Sequence, residues 1–325
     1  MILILSNDGD LSCDLVQSWL DHLNYPWKRI NAFDLLNKRV DISVDQTGAV
    51  DIMIGNEHLN GADFGAVWFR KFGFFRCSEQ FKKLLNSRKM EEDQLSNIIK
   101  ELSCVRDVII SYFKDKNWLT SPYKANLNKF QVLKIAASIG LKIPSTKIIN
   151  HKDNIGNQEN MICKSVFDPI IASWGDSARC MMYTTPITTT DKECLPEKFM
   201  PSLIQSEIRK KYEVRVFYLR GKIYPMAIFS QSDEQTKNDF RCYNWDKPNR
   251  TVPVKLPDSI VCKLHLLMDN IGLNCGSIDF IIDKEGDYYF LEVNPTGQFG
   301  MVDFPCNYNL HKKVAEELIK MDKGI

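Results

Sequence analysis

The chain has 325 residues, 44% of them apolar and 26% charged, so it can bury a substantial core and divide into two or three compact units. Its net charge of +1 gives no global pull toward nucleic acid or an anionic membrane, so a charged partner must be held locally. No apolar run approaches the length of a membrane span, and the opening MILILSNDGD lacks a basic n-region; it reads as the first strand of a cytoplasmic protein, not as a signal peptide.

The 10 cysteines lie scattered, with no C-x-x-C pair and no zinc-type spacing to the 5 histidines. They read as small buried hydrophobes, and no histidine is placed by sequence to activate one as a nucleophile.

Residues 1–120 read as an α/β unit. A short apolar strand at 2–5 leads through Asp8-Gly9-Asp10 into an amphipathic helix at 11–23. Strand signals return at 39–44, 49–54 and 66–70, and a long helical pattern covers 81–113. Strands alternating with helices predict a mostly parallel sheet. The strand at 66–70 runs into Lys71-Phe72-Gly73-Phe74-Phe75-Arg76. There Arg70 and Lys71 either decorate an aromatic core as surface cations or face an anionic ligand from the strand's C-terminal end.

Residues 121–200 read as a second unit. Ser121-Pro122 is a break, Asn126 or Asn128 caps a helix running through 139, and Gly140 ends it. Lys129, in the first turn, is either a solvated helix residue or a phosphate-binding cation. Strands are expected at 145–149 and 161–165. Lys164 stands among Ile162, Cys163, Val166 and Phe167 and needs an anionic partner, because a lone buried charge is costly. Residues 168–182 read as a flexible loop able to cradle phosphates, although it holds a single glycine; a strand at 183–185 follows.

A third unit covers 201–325. A strand at 203–208, carrying Gln205, Glu207 and Ile208, enters the basic bend Arg209-Lys210-Lys211, and strands follow at 212–219 and 222–230. Glu213 and Arg215 share one strand face, as a surface ion pair or as a hydroxyl acceptor beside a phosphate donor. The stretch 231–257, with Asp239, Arg241 and Asn244, is long for a passive connection and reads as a functional loop. A helix at 258–270 leads to a hairpin of strands 276–283 and 288–293, where Gly286 suits a positive φ. Strand alternation puts Glu292 and Asn294 on the face of Tyr288 and Phe290, and the hairpin brings Asp279 beside them. Two carboxylates and an amide oxygen form a hard-oxygen site for Mg2+ that leaves positions open to phosphate oxygens. A helix at 311–321 closes the chain.

In their order, these features resemble the ATP-grasp ligases over residues 119–325. The resemblance implies that Lys129 and Lys164 hold the nucleotide, that the backbone from Gln205 through Glu207 to Ile208 meets adenine, and that Glu213 takes the ribose. It makes Asp279, Glu292 and Asn294 the magnesium ligands, and Arg215 and Arg241 the arginines on the γ-phosphate and the acyl phosphate. The glycine-poor phosphate loop departs from the family pattern. WFRKFGFF, SQSDEQTKNDFR and EVNPTGQFGMVDFPCNY further resemble the graspetide synthetases, and more narrowly the peptide maturases of grasp-with-spasm gene systems, across the whole chain.

That resemblance implies an α/β (α+β) architecture, an ATP-grasp fold behind an N-terminal pre-ATP-grasp domain. The domain is expected at 1–120, a central subdomain at 121–200, and a C-terminal subdomain with the metal site at 201–325. It further implies ATP and two Mg2+ ions, a ribosomally made precursor peptide with leader and core as partner, and a homodimer. Arg70, Lys71, Asp239 and Asn244 are candidate substrate contacts, Asp239 also as a base. The implied reaction activates Asp or Glu side chains as acyl phosphates and couples them to Ser/Thr hydroxyls or a Lys amine, closing macrocycles. The alternatives are a carboxylate–amine ligase adding a free amino acid, and a nucleotide-binding scaffold. Hydride transfer is excluded, because SNDGD stands where a dinucleotide fold needs G-x-G-x-x-G.

Overall fold

The computed structural model of the chain describes residues 1–75, 81–83, 87, 91–156, 160–167, 171–174, 178–181, 184–237, 239–242 and 244–325. Arg76, Leu84, Leu85, Tyr183 and part of the expected phosphate loop lie outside these. Contacts divide the chain into two units: Met1–Asn126 with Leu273–Gly276 and Pro295–Ile325, and Leu127–Gly272 with Ser277–Asn294. The last 31 residues, expected with the third unit, belong to the first.

The first unit opens with β1 (Ile2–Ser6), α1 (Leu11–His22), β2 (Trp27–Asn31) and a short α2 (Asp34–Asn37). A small antiparallel sheet of β3 (Val40–Val44), β4 (Val50–Ile54) and β5 (Glu57–His58) follows, then β6 (Ala66–Arg70), α3 (Glu92–Tyr112) and β7 (Asn117–Leu119). The main sheet has the order β2-β1-β6-β7 and is parallel throughout, as the alternation of strands and helices predicts. All five residues of β1 and of β6 are buried, as parallel strands covered on both faces require. Phe64, Phe69, Phe72 and Phe113 fill the core beside α3, with Phe64 and Phe113 edge to face at 5.7 Å.

The second unit starts with α4 (Lys129–Ser138), β8 (Thr146–His151) and β9 (Met161–Lys164). The Asn128 side chain accepts from the Gln131 amide at 3.1 Å, which settles the helix cap in favour of Asn128. Next come β10 (Ile171–Trp174) and β11 (Ala178–Met181), an antiparallel pair where a flexible loop was expected. β12 (Thr185–Ile187), α5 (Thr189–Cys194) and β13 (Lys198–Ser206) lead to β14 (Lys210–Leu219), β15 (Lys222–Phe229) and β16 (Arg250–Pro253). After α6 (Asp258–Ile271) come β17 (Cys275–Asp283) and β18 (Tyr288–Asn294). One sheet has the order β12-β9-β13-β8, the other β16-β15-β14-β17-β18, and α4 packs on β18 and α6.

The chain returns to the first unit through α7 (Gly300–Cys306) and α8 (Leu310–Lys323), and α8 packs against α1 and β6. Asp322, near the end of α8, accepts from the Gly65 and Ala66 amides at 2.7 and 3.2 Å and from Tyr25 at 2.6 Å, and lies 3.1 Å from the N-terminal amine. The approach is so close that a Cβ at Gly65 would stand 2.5 Å from the Asp322 carbonyl oxygen.

Candidate functional site

The hairpin of β17 and β18 forms the centre of the acidic site in the second unit. Gly286 takes a φ of +92° in its turn, as expected, and the Asp287 amide donates to Asp283 at 2.8 Å. The ladder pairs Ser277 with Asn294 and Asp279 with Glu292, but a bulge after Asp279 then pairs Phe280 with Phe290. Phe290 and Tyr288 therefore lie on the face of Phe280, opposite to Glu292, a reversal of what unbroken alternation predicts. The bulge sorts the hairpin into a buried aromatic face, with Phe280 and Phe290 at 5.8 Å, and a polar face holding Asp279, Glu292 and Asn294.

Cations from several elements meet this polar face. The Arg215 guanidinium, from β14, donates through one nitrogen to both Asp279 oxygens at 3.2 and 3.1 Å. Lys129, in the first turn of α4, lies 3.3 Å from Glu292. The Asn294 amide nitrogen reaches Glu292 at 3.2 Å and Asp279 at 3.5 Å. Lys164 projects from β9 of the other sheet; its ammonium has no hydrogen bond or ion pair among the described residues, yet it feels the Glu292 charge. Burial pulls the Lys164 amine down, Glu292 opposes that, and Lys129 and Arg241 reinforce it.

The two carboxylates titrate in opposite directions. Burial pushes Asp279 up despite Arg215, and the neighbouring Glu292 adds to the rise. Burial would also raise Glu292, but Lys129, Lys164, Arg241 and the Asn294 amide together hold it below the usual carboxylate range. The donor set suits a hard divalent cation: two adjacent carboxylates, and an amide whose oxygen a half-turn of the side chain would present.

In the loop after β15, the Asp239 carboxylate binds the Arg241 guanidinium at 2.8 and 2.6 Å and accepts from the Thr184 amide at 3.4 Å. Burial would raise the Asp239 carboxyl, but Arg241 holds it below the usual carboxylate range. Asn244 lies further along the same loop. Its amide donates to Asp233 at 2.7 Å and its oxygen accepts from the Asp246 and Lys247 amides, so the side chain shapes the loop.

Glu213 and Arg215 are both buried on β14, but they are not a surface ion pair: Glu213 binds Lys210, while Arg215 binds Asp279. Gln205 is 2% exposed and donates to Thr146 at 2.9 Å, and its carbonyl oxygen has no partner among the described residues. β13 ends at Ser206, so Glu207 and Ile208 follow the strand and do not lie within it; the Glu207 amide donates to the Asn160 carbonyl at 2.7 Å.

In the first unit, Arg70 is 2% exposed and turned inward. It donates to Asp10 at 3.1 Å and to the Gly297 carbonyl at 3.3 Å, and lies 5.7 Å from the Trp68 ring centroid. Asp10 thus takes the charge that an open, ligand-facing Arg70 would have offered. Lys71 adopts a φ of +58° and bridges Ser6 through its backbone. Sequence reasoning missed Lys210, hidden within Arg209-Lys210-Lys211. Only the burial alternation, with Arg209 and Lys211 exposed and Lys210 covered, marks it out.

The chain matches no protein-family model and no curated protein. Its fold is that of the ATP-grasp ligases, seen over nearly the whole chain in solved structures. One of these is the macrocyclase MdnC from Microcystis aeruginosa MRC, bound with precursor peptide MdnA: TM-score 0.82, 24% identity, 98% of this chain and 99% of that chain. Another is a Chryseobacterium gregarium RiPP-associated ATP-grasp ligase in complex with ADP and a leader and core peptide, at 0.81 and 22%, covering 98% and 96%. A third, the ATP-grasp ligase PsnB complexed with minimal precursor, Mg and ADP, aligns at 0.73 and 15%, covering 99% and 97%. No described helix is long and apolar enough to cross a membrane.

Proposed function

We propose that this protein is an ATP-dependent ligase that closes side-chain ester or amide links in a ribosomally made precursor peptide. The observation that carries this reading is the polar face of the hairpin, where Asp279 and Glu292 are met by Arg215 and Lys129 within a fold shared with peptide-modifying ligases. In this reading Asp279, Glu292 and Asn294 hold two Mg2+ ions, which offset the charge of the β- and γ-phosphates. Lys129 and Lys164 attract the phosphates, and Lys164, lacking a described ion-pair partner, is supplied with one by a phosphate oxygen. The backbone after Gln205, at Glu207 and Ile208, meets adenine, and Glu213 accepts from the ribose.

Arg215 and Arg241 orient the transferring phosphoryl group and the acyl phosphate that follows. A peptide carboxylate oxygen attacks the γ-phosphorus and ADP departs. A Ser/Thr hydroxyl or Lys amine then attacks the acyl carbon, loses its proton, and phosphate departs. The peptide loses one water per link. No protein nucleophile is needed.

In this reading the four-stranded and five-stranded sheets of the second unit belong to the central and C-terminal subdomains, and the first unit serves as a pre-ATP-grasp domain. Substrate contact through Lys71, a homodimer and a cytoplasmic location, where ATP and new peptides are available, complete it. The reaction is tested by product analysis with a precursor peptide, ATP and Mg2+. One ADP and one phosphate per water lost supports the acyl phosphate route, and AMP with pyrophosphate contradicts it.

A further inference from the structure

Glu213 is 8% exposed, with Ile228 opposite it on β15. A carboxylate so covered persists as an anion only when its charge is compensated. Two side chains do this. The Lys210 ammonium, itself 8% exposed, contacts Oε1, and the fully buried Ser230 hydroxyl donates to Oε2 at 3.2 Å. The other charge facing Glu213 is Asp239, which opposes its ionisation and is itself bound to Arg241; the Cys242 thiol lies within electrostatic reach of Lys210. Burial raises the Glu213 carboxyl above its ordinary range, and Lys210 and Ser230 pull it back.

Each carboxylate oxygen can accept about two hydrogen bonds. Lys210 takes one position on Oε1 and Ser230 one on Oε2. The acceptor positions beyond these suit two neighbouring hydroxyls. Arg209 and Lys211, on either side of Lys210, stay in solvent, so the burial of Lys210 is particular to it and not a property of the basic bend.

We propose that Lys210 is a positioning residue for nucleoside recognition: by holding Glu213 as an oriented anion, it makes that carboxylate selective for vicinal ribose hydroxyls over deoxy sugars. The proposal rests on the reading of Glu213 as the ribose acceptor. Without the Lys210 charge, burial is opposed by Ser230 alone, so the Glu213 carboxylate takes up a proton more readily and one oxygen then becomes a donor. Its preference for two hydroxyls is then lost, and returns as rising pH removes the proton.

The test is calorimetric titration of the full-length protein with ADP and with 2′,3′-dideoxy-ADP, in Mg2+, from mildly acidic to alkaline pH. The wild type is expected to prefer ADP about tenfold, as for hydrogen bonds to a charged acceptor. Lys210→Met is expected to lose that preference at the acidic end of the range and regain it as pH rises, while Lys210→Arg keeps it throughout. If Lys210→Met does not fold, Ser230→Ala and Glu213→Gln decide, both expected to lose preference; its retention in both overturns the proposal. Wild-type preference in a folded Lys210→Met at every pH, or equal weakening toward both nucleotides, also overturns it. Equal wild-type affinity for the two ligands overturns it while leaving a nucleotide site intact. Failure of both nucleotides to bind overturns the proposed function as well.

Discussion

Asp279 is 9% exposed and its carboxylate depends on the Arg215 guanidinium. Removing one member of a buried pair leaves the other charge uncompensated, so Arg215→Met is expected to destabilise the protein by about 3–5 kcal/mol. Adding Asp279→Asn should recover part of that loss, as read from denaturant midpoints; an additive double mutant would mean that the pair is not coupled. Asp303 acts in the same way on a helix end. Its carboxylate caps α8, accepting from the Leu310 amide at 2.7 Å and the His311 amide at 3.2 Å, and it binds the His311 ring. Burial would raise the Asp303 carboxyl, but these donors hold it below the ordinary range. A depressed carboxyl stabilises the fold above its unfolded pKa, and the contribution fades as pH falls through the folded value. Asp303→Asn should cost about 1–2 kcal/mol near neutrality and flatten the decline in stability below about pH 5. An unchanged pH profile would show that Asp303 does not carry it.

At the scale of elements, the hairpin was legible because Gly286, the polar turn and the alternation of its strands all agree. Its bulge was not, since nothing in FLEVN marks where one residue slips out of pairing, and the face of Phe290 was misassigned for that reason. β2, reading WKRIN, is a half-buried edge strand of the parallel sheet, disguised in the sequence by its two cations. α7 carries Pro305 inside it, and a proline ordinarily ends a helical pattern. Lys129, Lys164, Glu292 and Asp279 gather on one polar face; the partners of Asp239, Asn244 and Arg70, which are Arg241, Asp233 and Asp10, could not be read from the pattern of the sequence. The junction of Gly65 with α8 tests one such long-range contact. Gly65→Ala should lower stability by about 1–3 kcal/mol, because its methyl would collide with backbone at Asp322. A melting temperature equal to that of the wild type would exclude this.

For the whole molecule, the parallel first sheet and the α/β class follow from alternating strands and helices, but the unit boundaries do not. A chain that leaves one unit after Asn126, touches it again at Leu273–Gly276 and returns for good at Pro295 shows no composition change at these points. Its return is written in contacts some 250 residues apart, such as Gly65 with Asp322, and those are invisible to local pattern. The proposed function joins this fold to one site, a peptide-dehydrating centre built on Asp279 and Glu292. The most direct measurement is the intact mass of a precursor peptide after incubation with the protein, ATP and Mg2+, with Asp279→Ala and Glu292→Ala alongside. The account predicts loss of one water per link with the wild type and none with either variant, both still folded. A gain in mass, or water loss that survives in both variants, would contradict it.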